Sequence, residues 1–337
     1  MDSFAGKLAV VTGGGSGMGR ELVRQLAAQG CSVATCDVHG EAIEQTAALA
    51  REGAPPGVLV TSHDCDVAYE WQVQRFRDEL LEAHASDQVD VVFNNAGIGG
   101  GSSFVTDPRE SWERTFAVDF FGVYHCARVF LPLLIASGDG VLVNTSSVNG
   151  FWATLGPGMP NHAYCTAKFA VKGFTEGLIE DLRINAPQVR VAVVMPGHVG
   201  TDIVLNSMAA NDMLPESGDM TERQLEARDR LIGVGMLPEG ASADDLRRVL
   251  IQMGTDFRDK APLSAADAAT IILDGVRSGA WRILVGQDAV LLDENVRAHP
   301  EDAYNYPALF AGLMPQAAGG GRDPASLFSG TERRWWR

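Results

Sequence analysis

The sequence predicts an α/β protein built on a doubly wound parallel sheet of about seven strands, with helices on both faces. Short apolar runs of the buried-strand type alternate with segments of helical periodicity from residue 7 to residue 285. A glycine-rich turn at 13–19 joins the first of these runs to the first helical segment. Polar residues directly follow most of the predicted strands. Because parallel strands end at one edge of such a sheet, we expect these residues to share one crevice.

The pattern assigns the elements in order along the chain. Apolar runs predict strands at 7–11, 32–36, 58–62, 89–93, 140–144, 189–194 and 281–285. Helical periodicity predicts helices at 20–29, 41–52, 69–85, 109–137, 162–185 and 264–278, the last of them capped by Ser264. Strands that alternate with helices imply parallel β-α-β units, and their helices cover both faces of the sheet.

Composition and charge narrow the classes of partner. The chain is 46% hydrophobic and 21% charged, as expected of a globular protein with a sizeable core. Its formal charge of -16 argues against a nucleic-acid partner. The five cysteines form no C-x-x-C pair and no leader-like segment precedes them, so we expect a reduced, cytoplasmic location. The apolar stretch 116–135 contains Asp119, His125 and Arg128, which argues against a membrane span.

We expect residues 1–286 to form a single catalytic domain and 287–337 to form a C-terminal extension that is flexible in part. Within the domain, 203–260 is long for a connection and contains scattered methionines. Such a segment suits either a mobile lid over a substrate or a helical excursion packed on the surface. Within the extension, 316–324 is rich in Gly, Ala and Pro, and the pair at 335–336 is Trp-Trp, which either docks on a partner subunit or stays disordered.

The glycine turn and the residue after the second strand indicate a dinucleotide site. Glycines let the backbone turn tightly and approach a pyrophosphate at the N-terminus of the next helix. The residues of the turn that we assign to the dinucleotide are Gly13, Gly15, Ser16, Gly17, Met18 and Gly19. Asp37 is placed to bind both ribose hydroxyls and would repel a 2′-phosphate. Neither 13–19 nor 38–41 contains a Lys or Arg that could receive that phosphate, so the sequence favours NAD over NADP.

A tyrosine and a lysine lie four residues apart at the start of the predicted helix 162–185. Tyr164 and Lys168 therefore share one face of that helix. A phenol is a poor acid or base at neutral pH, and an adjacent ammonium lowers its pKa toward the working range. Such pairs are common by chance, but the strand-end motifs should meet this one in the same crevice. Cys165, between them, is better explained as a packing residue than as a nucleophile.

Taken together, the motifs between residues 7 and 201 resemble those of short-chain dehydrogenases/reductases. In order, they are Thr12-Gly-x-x-x-Gly17-x-Gly19, Asp66-Val67, Asn94-Asn95-Ala96-Gly97, Ser147, Tyr164-x-x-x-Lys168 and Pro196-Gly197-x-Val199-x-Thr201. The combination and its order are specific to that family. The resemblance implies a Rossmann fold and a dinucleotide-dependent oxidoreductase.

The resemblance also assigns roles to residues. It implies that Ser147, rather than its neighbour Ser146, binds the substrate oxygen beside Tyr164, and that Lys168 also binds ribose hydroxyls. Further implied dinucleotide contacts are Asp66 and Val67 at the adenine, Asn94, Ala96 and Gly97 beside the sheet, Pro196 and Gly197, and Val199 and Thr201 at the nicotinamide carboxamide.

Two features depart from the family pattern, and the first is an aspartate. Asp119 stands where the family has a catalytic asparagine, in the run Val-Asp-Phe-Phe-Gly. A carboxylate accepts hydrogen bonds from a water but cannot donate one unless protonated, and its charge near Lys168 opposes formation of a phenolate. Asp119 is therefore either a member of a proton relay or a merely structural aspartate.

The second departure is the spacing between Ser147 and Tyr164, which is longer than the family commonly has. The added loop 151–160 is rich in large apolar and turn residues, and it either forms a wall of the substrate pocket or packs on a neighbouring subunit. The candidates for substrate contact are Phe151, Trp152, Met159 and, from the Pro-Gly motif, His198. Their character suggests a bulky apolar alcohol or ketone.

The sequence therefore predicts an NAD-dependent oxidoreductase that interconverts a secondary alcohol and a ketone. Tyr164 would be the general acid/base, assisted by Lys168 and Ser147. The alternative is a dinucleotide-binding sensor or scaffold that has lost the chemistry, an interpretation that Asp119 alone favours. We find no metal-ligand pattern in the sequence. By resemblance, we expect a homodimer or homotetramer formed through the two long helices.

Overall fold

The computed structural model describes residues 1–156, 158–216, 218–233 and 235–311. Its strands are β1 (Leu8–Thr12), β2 (Ser32–Asp37), β3 (Val60–Asp64), β4 (Val91–Asn94), β5 (Gly140–Thr145), β6 (Val189–Pro196), β7 (Val199–Gly200), β8 (Leu263–Ser264) and β9 (Arg282–Val285). Seven of them form one parallel sheet in the order β3-β2-β1-β4-β5-β6-β9. The order reverses direction between β1 and β4, so the predicted doubly wound sheet is confirmed.

Helices cover both faces of this sheet. They are α1 (Gly17–Ala28), α2 (Gly40–Gly53), α3 (Glu70–His84), α4 (Arg109–Phe116), α5 (Gly122–Ala136), α6 (His162–Asn185), α7 (Ile203–Ala210), α8 (Glu222–Gly233), α9 (Ala243–Asp259), α10 (Ala265–Arg277), α11 (Gln287–Ala298) and α12 (Tyr306–Ala311). A π-helical turn, Ala117–Phe121, joins α4 to α5 without a break. Short 3-10 turns occur at Val148–Gly150 and Pro300–Asp302.

The core follows from the two-sided burial of the strands. Alternate residues of β1 point to opposite faces, so Val11 packs in the cluster that contains Leu26 and Ile272, and Val10 packs in the cluster that contains Phe130. Continuous apolar runs are therefore the sequence signature of these strands, because neither face meets water.

Most predicted boundaries hold to within two residues, whereas α1 begins three residues earlier than predicted, at Gly17. The helix α6 begins and ends where predicted, and the Ser264 side chain caps α10 by accepting a hydrogen bond from the Asp267 amide at 3.1 Å. The third strand starts two residues later than predicted, at Val60, because the Val58 amide is used in a turn bond to the Pro55 carbonyl. The two-residue ribbon β7–β8 was not predicted, since so short a pairing has no periodicity to detect.

The helical run 109–136 is long and apolar enough to cross a membrane, by length and composition, and in the described part of the chain it is the one such run. Half of its most apolar window is buried inside the protein, where Phe130 and Leu134 pack beneath the sheet. A core helix of a soluble protein passes the same test, so the run is weak evidence for a membrane span.

Two segments add to the sheet and its helices. Residues 203–260 form α7, α8 and α9, which enclose a small core of their own around Leu237, Leu246 and Leu250. The extension beyond β9 forms α11 and α12 as far as residue 311. The tract at 316–324 and the Trp-Trp pair, for which we expected flexibility or docking, lie outside the described residues.

Asp90 joins the amino ends of two neighbouring strands. Its Oδ2 accepts the Leu8 amide at 2.8 Å, its Oδ1 lies 2.9 Å from the Lys7 ammonium, and only 4% of the residue is exposed. The carboxylate thus satisfies a buried donor that β1 leaves unpaired where β4 begins.

We expect Asp90→Ala to lower the free energy of unfolding by about 2 kcal/mol, because it leaves a buried amide unsatisfied. Urea unfolding followed by circular dichroism measures this loss. Asp139→Ala is the matched control, since Asp139 pairs with Arg190 but is half exposed, and its loss should be below about 1 kcal/mol. Equal losses in the two variants would refute the assignment.

Candidate active site

Two adjoining cavities lie along the carboxyl edge of the sheet. The larger, of about 840 Å³, is bordered by the ends of β5 and β6, the first turns of α6 and α7, and α11. The smaller, of about 150 Å³, is bordered by the glycine turn and the end of β2. Met18, Asn95, Gly97, Thr201 and Ile203 line both cavities. An elongated molecule could therefore lie across the two.

The glycine turn has the shape that a close ligand approach requires. Gly13 and Gly17 have φ of +68° and +52°, in the left-handed region. A Cβ atom on Gly19 would lie 2.1 Å from the Gly13 carbonyl oxygen, so no larger residue fits without a backbone shift. The Asn95 side chain donates to the Thr12 and Gly13 carbonyls at 3.1 and 3.3 Å, which ties the turn to the end of β4.

Asp37 ends β2 beside this turn. Its Oδ2 accepts the Gly15 amide at 2.9 Å, and its Oδ1 accepts the His39 amide at 3.1 Å. The nearest guanidinium groups are already engaged: Arg20 donates to the Gly15 carbonyl, and Arg114 pairs with Asp66 at 2.8 Å. The Asp37 carboxylate thus lines the smaller cavity, and the guanidinium groups of Arg20 and Arg114 are engaged with other partners.

The structure brings most of the predicted dinucleotide residues to the cavities. Those in the smaller one are Gly13, Ser16, Gly17, Met18, Asp37, Asp66, Val67, Ala96 and Gly97. Those in the larger one are Tyr164, Lys168, Pro196, Gly197, Val199 and Thr201, and Met18, Gly97 and Thr201 line both cavities. The other three, Gly15, Gly19 and Asn94, are not among the residues that line the two cavities. The side-chain amide of Asn94 donates to Asn144 Oδ1 at 2.8 Å and so links β4 to β5.

The neighbouring serines at the end of β5 have different partners. Ser146 Oγ donates to the Lys168 carbonyl at 2.7 Å, which fixes α6 against β5. Ser147 Oγ accepts the Asn149 amide at 3.1 Å as the cap of a 3-10 turn, and it donates to no backbone carbonyl of the described residues. Ser147 also bonds with Tyr164. The geometry therefore supports Ser147, rather than Ser146, as the serine that serves the cavity.

A buried ion pair lies beneath Tyr164. Lys168 Nζ is 3.5 Å from Asp119 Oδ2 and 3.3 Å from the Thr145 carbonyl, and both side chains are almost fully buried. Asp119 Oδ1 accepts the Ile98 amide at 2.8 Å. Asp119 lies in the π-helical turn, which widens the helix at this point. Burial raises the pKa of Asp119, and the Lys168 ammonium opposes that rise.

The pKa of Tyr164 differs from the sequence-based expectation. Lys168 Nζ lies 5.3 Å from the centre of the Tyr164 ring, yet the pKa of the phenol is raised well above its ordinary value. Burial is the main cause and the Asp119 charge adds to it, while the Ser147 hydrogen bond lowers the pKa in part. The expected net lowering of the pKa is therefore not found, because burial and the Asp119 carboxylate both favour the neutral phenol.

The four candidates for substrate contact separate into two pairs. Trp152 and His198 line the larger cavity. The other two are not among the described residues that line this cavity. Phe151 packs on α11 and α12, and the Met159 residue is 52% exposed to solvent. Apolar character near a motif therefore identified the loop but not the direction of each side chain.

Several lining residues carry no motif and were missed. Ser207 and Asn211 come from α7 and the turn after it, Arg223, Glu226 and Arg230 come from α8, and Asp288, Leu291 and Leu292 come from α11. Met208, one of the methionines that suggested a lid, also lines the larger cavity. Asn95, which belongs to the Asn-Asn-Ala-Gly motif, lines both cavities. No local signal could have identified the others, because tertiary packing alone brings these segments over the strand ends.

Two further groups lie outside this chemistry. Cys165 is buried, and burial raises the pKa of its thiol to about 12, which supports packing rather than nucleophilic attack. His299, Glu301 and Asp302 bring ligand-type atoms within 4.8 Å of one another on a surface turn, outside both cavities.

The model of the short chain dehydrogenase family matches residues 7–212. The chain belongs to this family, the short-chain dehydrogenases/reductases. SadH of Mycobacterium tuberculosis, named as an oxidoreductase, is 33% identical over 293 residues, which cover 87% of this chain and 91% of the relative. The family accounts for the co-occurrence of the motifs, and the protein is an oxidoreductase of this class.

Solved structures agree with the assignment. A short-chain dehydrogenase/reductase from Burkholderia phymatum in complex with NAD is 31% identical, with a TM-score of 0.69 over 90% of this chain and 95% of its own. A metagenomic short-chain oxidoreductase in complex with NADP is 25% identical, with a TM-score of 0.51 over 75% of this chain and 91% of its own. Structural neighbours thus bind either dinucleotide.

Proposed function

We propose that this protein is an NAD-dependent oxidoreductase that interconverts a secondary alcohol and a ketone. The observation that carries the proposal is the presence of Ser147, Tyr164 and Lys168 at one end of the larger cavity, beside the dinucleotide groove. The glycine turn fits a pyrophosphate, because its backbone packs so closely on β2 and on the residues after β4 that side chains have no room. It also leads into the N-terminus of α1, where an anion is favoured. When bound, the dinucleotide supplies or accepts the hydride.

The roles of the three side chains follow from their contacts. In the oxidation direction, Tyr164 as phenolate removes the hydroxyl proton of the alcohol. Ser147 donates a hydrogen bond to the same oxygen, since the Asn149 amide already fills one of its acceptor positions. Lys168 holds a positive charge beneath the ring of Tyr164 and favours the phenolate electrostatically.

A route for the proton is available below Lys168. Asp119 Oδ2 is buried and has no hydrogen-bond partner among the described residues, although Lys168 Nζ lies 3.5 Å away. That oxygen can accept a hydrogen bond from a water, which is the property a relay member needs. We therefore propose that Asp119 takes part in the relay in place of an asparagine.

The choice of NAD rests on Asp37. A 2′-phosphate at the ribose end would meet this carboxylate, and Arg20 and Arg114 are engaged elsewhere. We propose an apolar substrate because Val148, Leu155 and Leu291 contribute to a mainly apolar cavity surface. A cytoplasmic location without a nucleic-acid or membrane partner remains our proposal from composition.

We propose that the protein is a homo-oligomer whose subunits contact one another through the outer faces of α5 and α6. Phe121, Tyr124 and Phe169 are each at least 38% exposed there. Exposed aromatic side chains clustered on adjacent helices are typical of subunit contacts.

We expect Tyr164→Phe to reduce alcohol oxidation at least about a hundredfold, because the acid/base is removed. NADH binding should stay nearly unchanged, and Tyr124→Phe, on the outer face of α5, should keep wild-type turnover. A spectrophotometric assay of NAD+ reduction over a panel of secondary alcohols makes the measurement. Near-normal turnover by Tyr164→Phe would refute the mechanism, and a wild-type protein that binds NADH but converts no alcohol would support the sensor alternative.

We expect Asp119→Asn to move the acidic limb of the kcat/KM profile for oxidation to lower pH by about one unit. The reason is that the Asp119 charge raises the pKa of Tyr164, so its removal lets the phenolate form at lower pH. Initial rates as a function of pH at saturating NAD+ give the profile, with Asp139→Asn as a surface control. A limb that stays in place or moves to higher pH would contradict the electrostatic argument.

We expect wild-type protein to bind NADH more tightly than NADPH, and Asp37→Ala to narrow the difference by about tenfold or more. The variant removes the charge that repels a 2′-phosphate. Fluorescence titration with each dinucleotide measures the two dissociation constants. Asp64→Ala, at the end of the neighbouring strand, is the control. Tighter NADPH binding by the wild-type protein would overturn the NAD assignment.

A further inference from the structure

We propose that the C-terminal residues 287–311 form a second wall of the substrate cavity and hold the loop 151–156 in place, so that they determine which alcohols or ketones fit. The inference rests on the proposed function, because it concerns the substrate of the same cavity. It assigns a role in specificity to a segment beyond the family motifs.

The first turn of α11 lies directly against the loop after β6. Gly286, with φ of +103°, lets the chain turn from β9 into this helix. Asp288 Oδ2 then accepts the His198 amide at 2.6 Å. A Cβ atom on Gly197 would lie 2.3 Å from that same oxygen, so the approach is as close as the backbone permits. The extension thus begins in direct contact with the loop after β6, at the surface of the larger cavity.

A buried ion pair fixes the direction of α11. Arg282 of β9 donates through both of its terminal nitrogens to Asp293, and Arg297 adds a contact to the same carboxylate at 2.9 Å. Both Arg282 and Asp293 are largely buried. With the helix held in this way, Leu291 and Leu292 line the larger cavity, one turn beyond Asp288 on the same side.

The residues after α11 hold the loop that carries Trp152. The indole Nε1 of Trp152 donates to the Ala303 carbonyl at 2.7 Å, and the Ala153 amide donates to the Tyr304 hydroxyl at 3.3 Å. Trp152 also packs in one buried cluster with Leu292 and Ala303. Its position at the cavity surface therefore depends on the extension.

This loop is in turn connected to the catalytic serine. The Asn149 side chain donates to the Trp152 and Thr154 carbonyls at 2.9 and 2.7 Å. The backbone N–H of Asn149 donates to Ser147 Oγ. A shift of the loop would therefore change both the apolar wall and the support of the serine. Trp152, Leu291 and Leu292 together contribute a large apolar wall to the larger cavity.

Two variants test the proposal. Leu291→Ala removes a side chain of the extension from the cavity surface, and Trp152→Phe keeps an aromatic ring but removes the N–H that binds Ala303. Leu49→Ala on α2 and Trp281→Phe before β9 are matched controls, because both residues are exposed and are not among the described cavity residues. The substrates are isopropanol, cyclohexanol and a phenyl-substituted secondary alcohol, with kcat and KM measured separately and NADH binding measured by titration.

We expect the ratio of kcat/KM between the phenyl-substituted alcohol and isopropanol to change by about tenfold in both variants, mainly through KM. NADH binding should remain at the wild-type value in all variants. The kcat/KM ratios of the two control variants should also equal the wild-type ratio. Calorimetric binding of the same alcohols to the NADH complex should change in parallel, which gives a result that does not depend on turnover.

Unchanged ratios and unchanged alcohol binding in Leu291→Ala, with a wild-type melting curve, would overturn the inference. The same variant decides the matter if Trp152→Phe does not fold. A wild-type protein that binds these alcohols without oxidising them would refute the proposed function, while a changed binding ratio in Leu291→Ala would still support the wall.

Discussion

The site is organised around one buried charge, the ammonium group of Lys168. A cation in the protein interior is costly unless charges and hydrogen bonds compensate it. Here the compensation comes from β5 through the Thr145 carbonyl and from the π-helical turn through Asp119. The Lys168 carbonyl accepts from Ser146, so the same residue also holds α6 against the sheet. The elements that carry the chemistry are thereby fixed relative to one another.

The aspartate at this point changes the character of the centre. An amide in its place would leave the charge of Lys168 uncompensated and available to the phenol. The carboxylate instead adds its own charge to the effect of burial, and both raise the pKa of Tyr164. The negative charge of Asp119 therefore has two opposite effects. It stabilises the buried ammonium of Lys168, and it opposes ionisation of the Tyr164 phenol.

The sequence predicted the parts of the fold whose cause is local or periodic. The strands, the bounds of α6 and the cap at Ser264 follow from apolar runs, helical spacing and capping chemistry. The strand-end motifs also predicted the dinucleotide groove, because a parallel sheet brings strand ends to one edge. The outer walls could not be predicted in this way. Leu291 reaches the cavity only because the Arg282–Asp293 pair directs α11, and Phe151 points away from it because the extension offers an apolar surface.

The contact between Trp152 and Ala303 has a consequence for the order in which the molecule is completed. The two residues are separated by 151 positions in the chain. During synthesis, the strands and the dinucleotide groove can assemble while this contact still lacks one of its partners. The Trp152 contact can therefore form only after residue 303 has left the ribosome, later than the glycine turn and β2 that begin the dinucleotide groove.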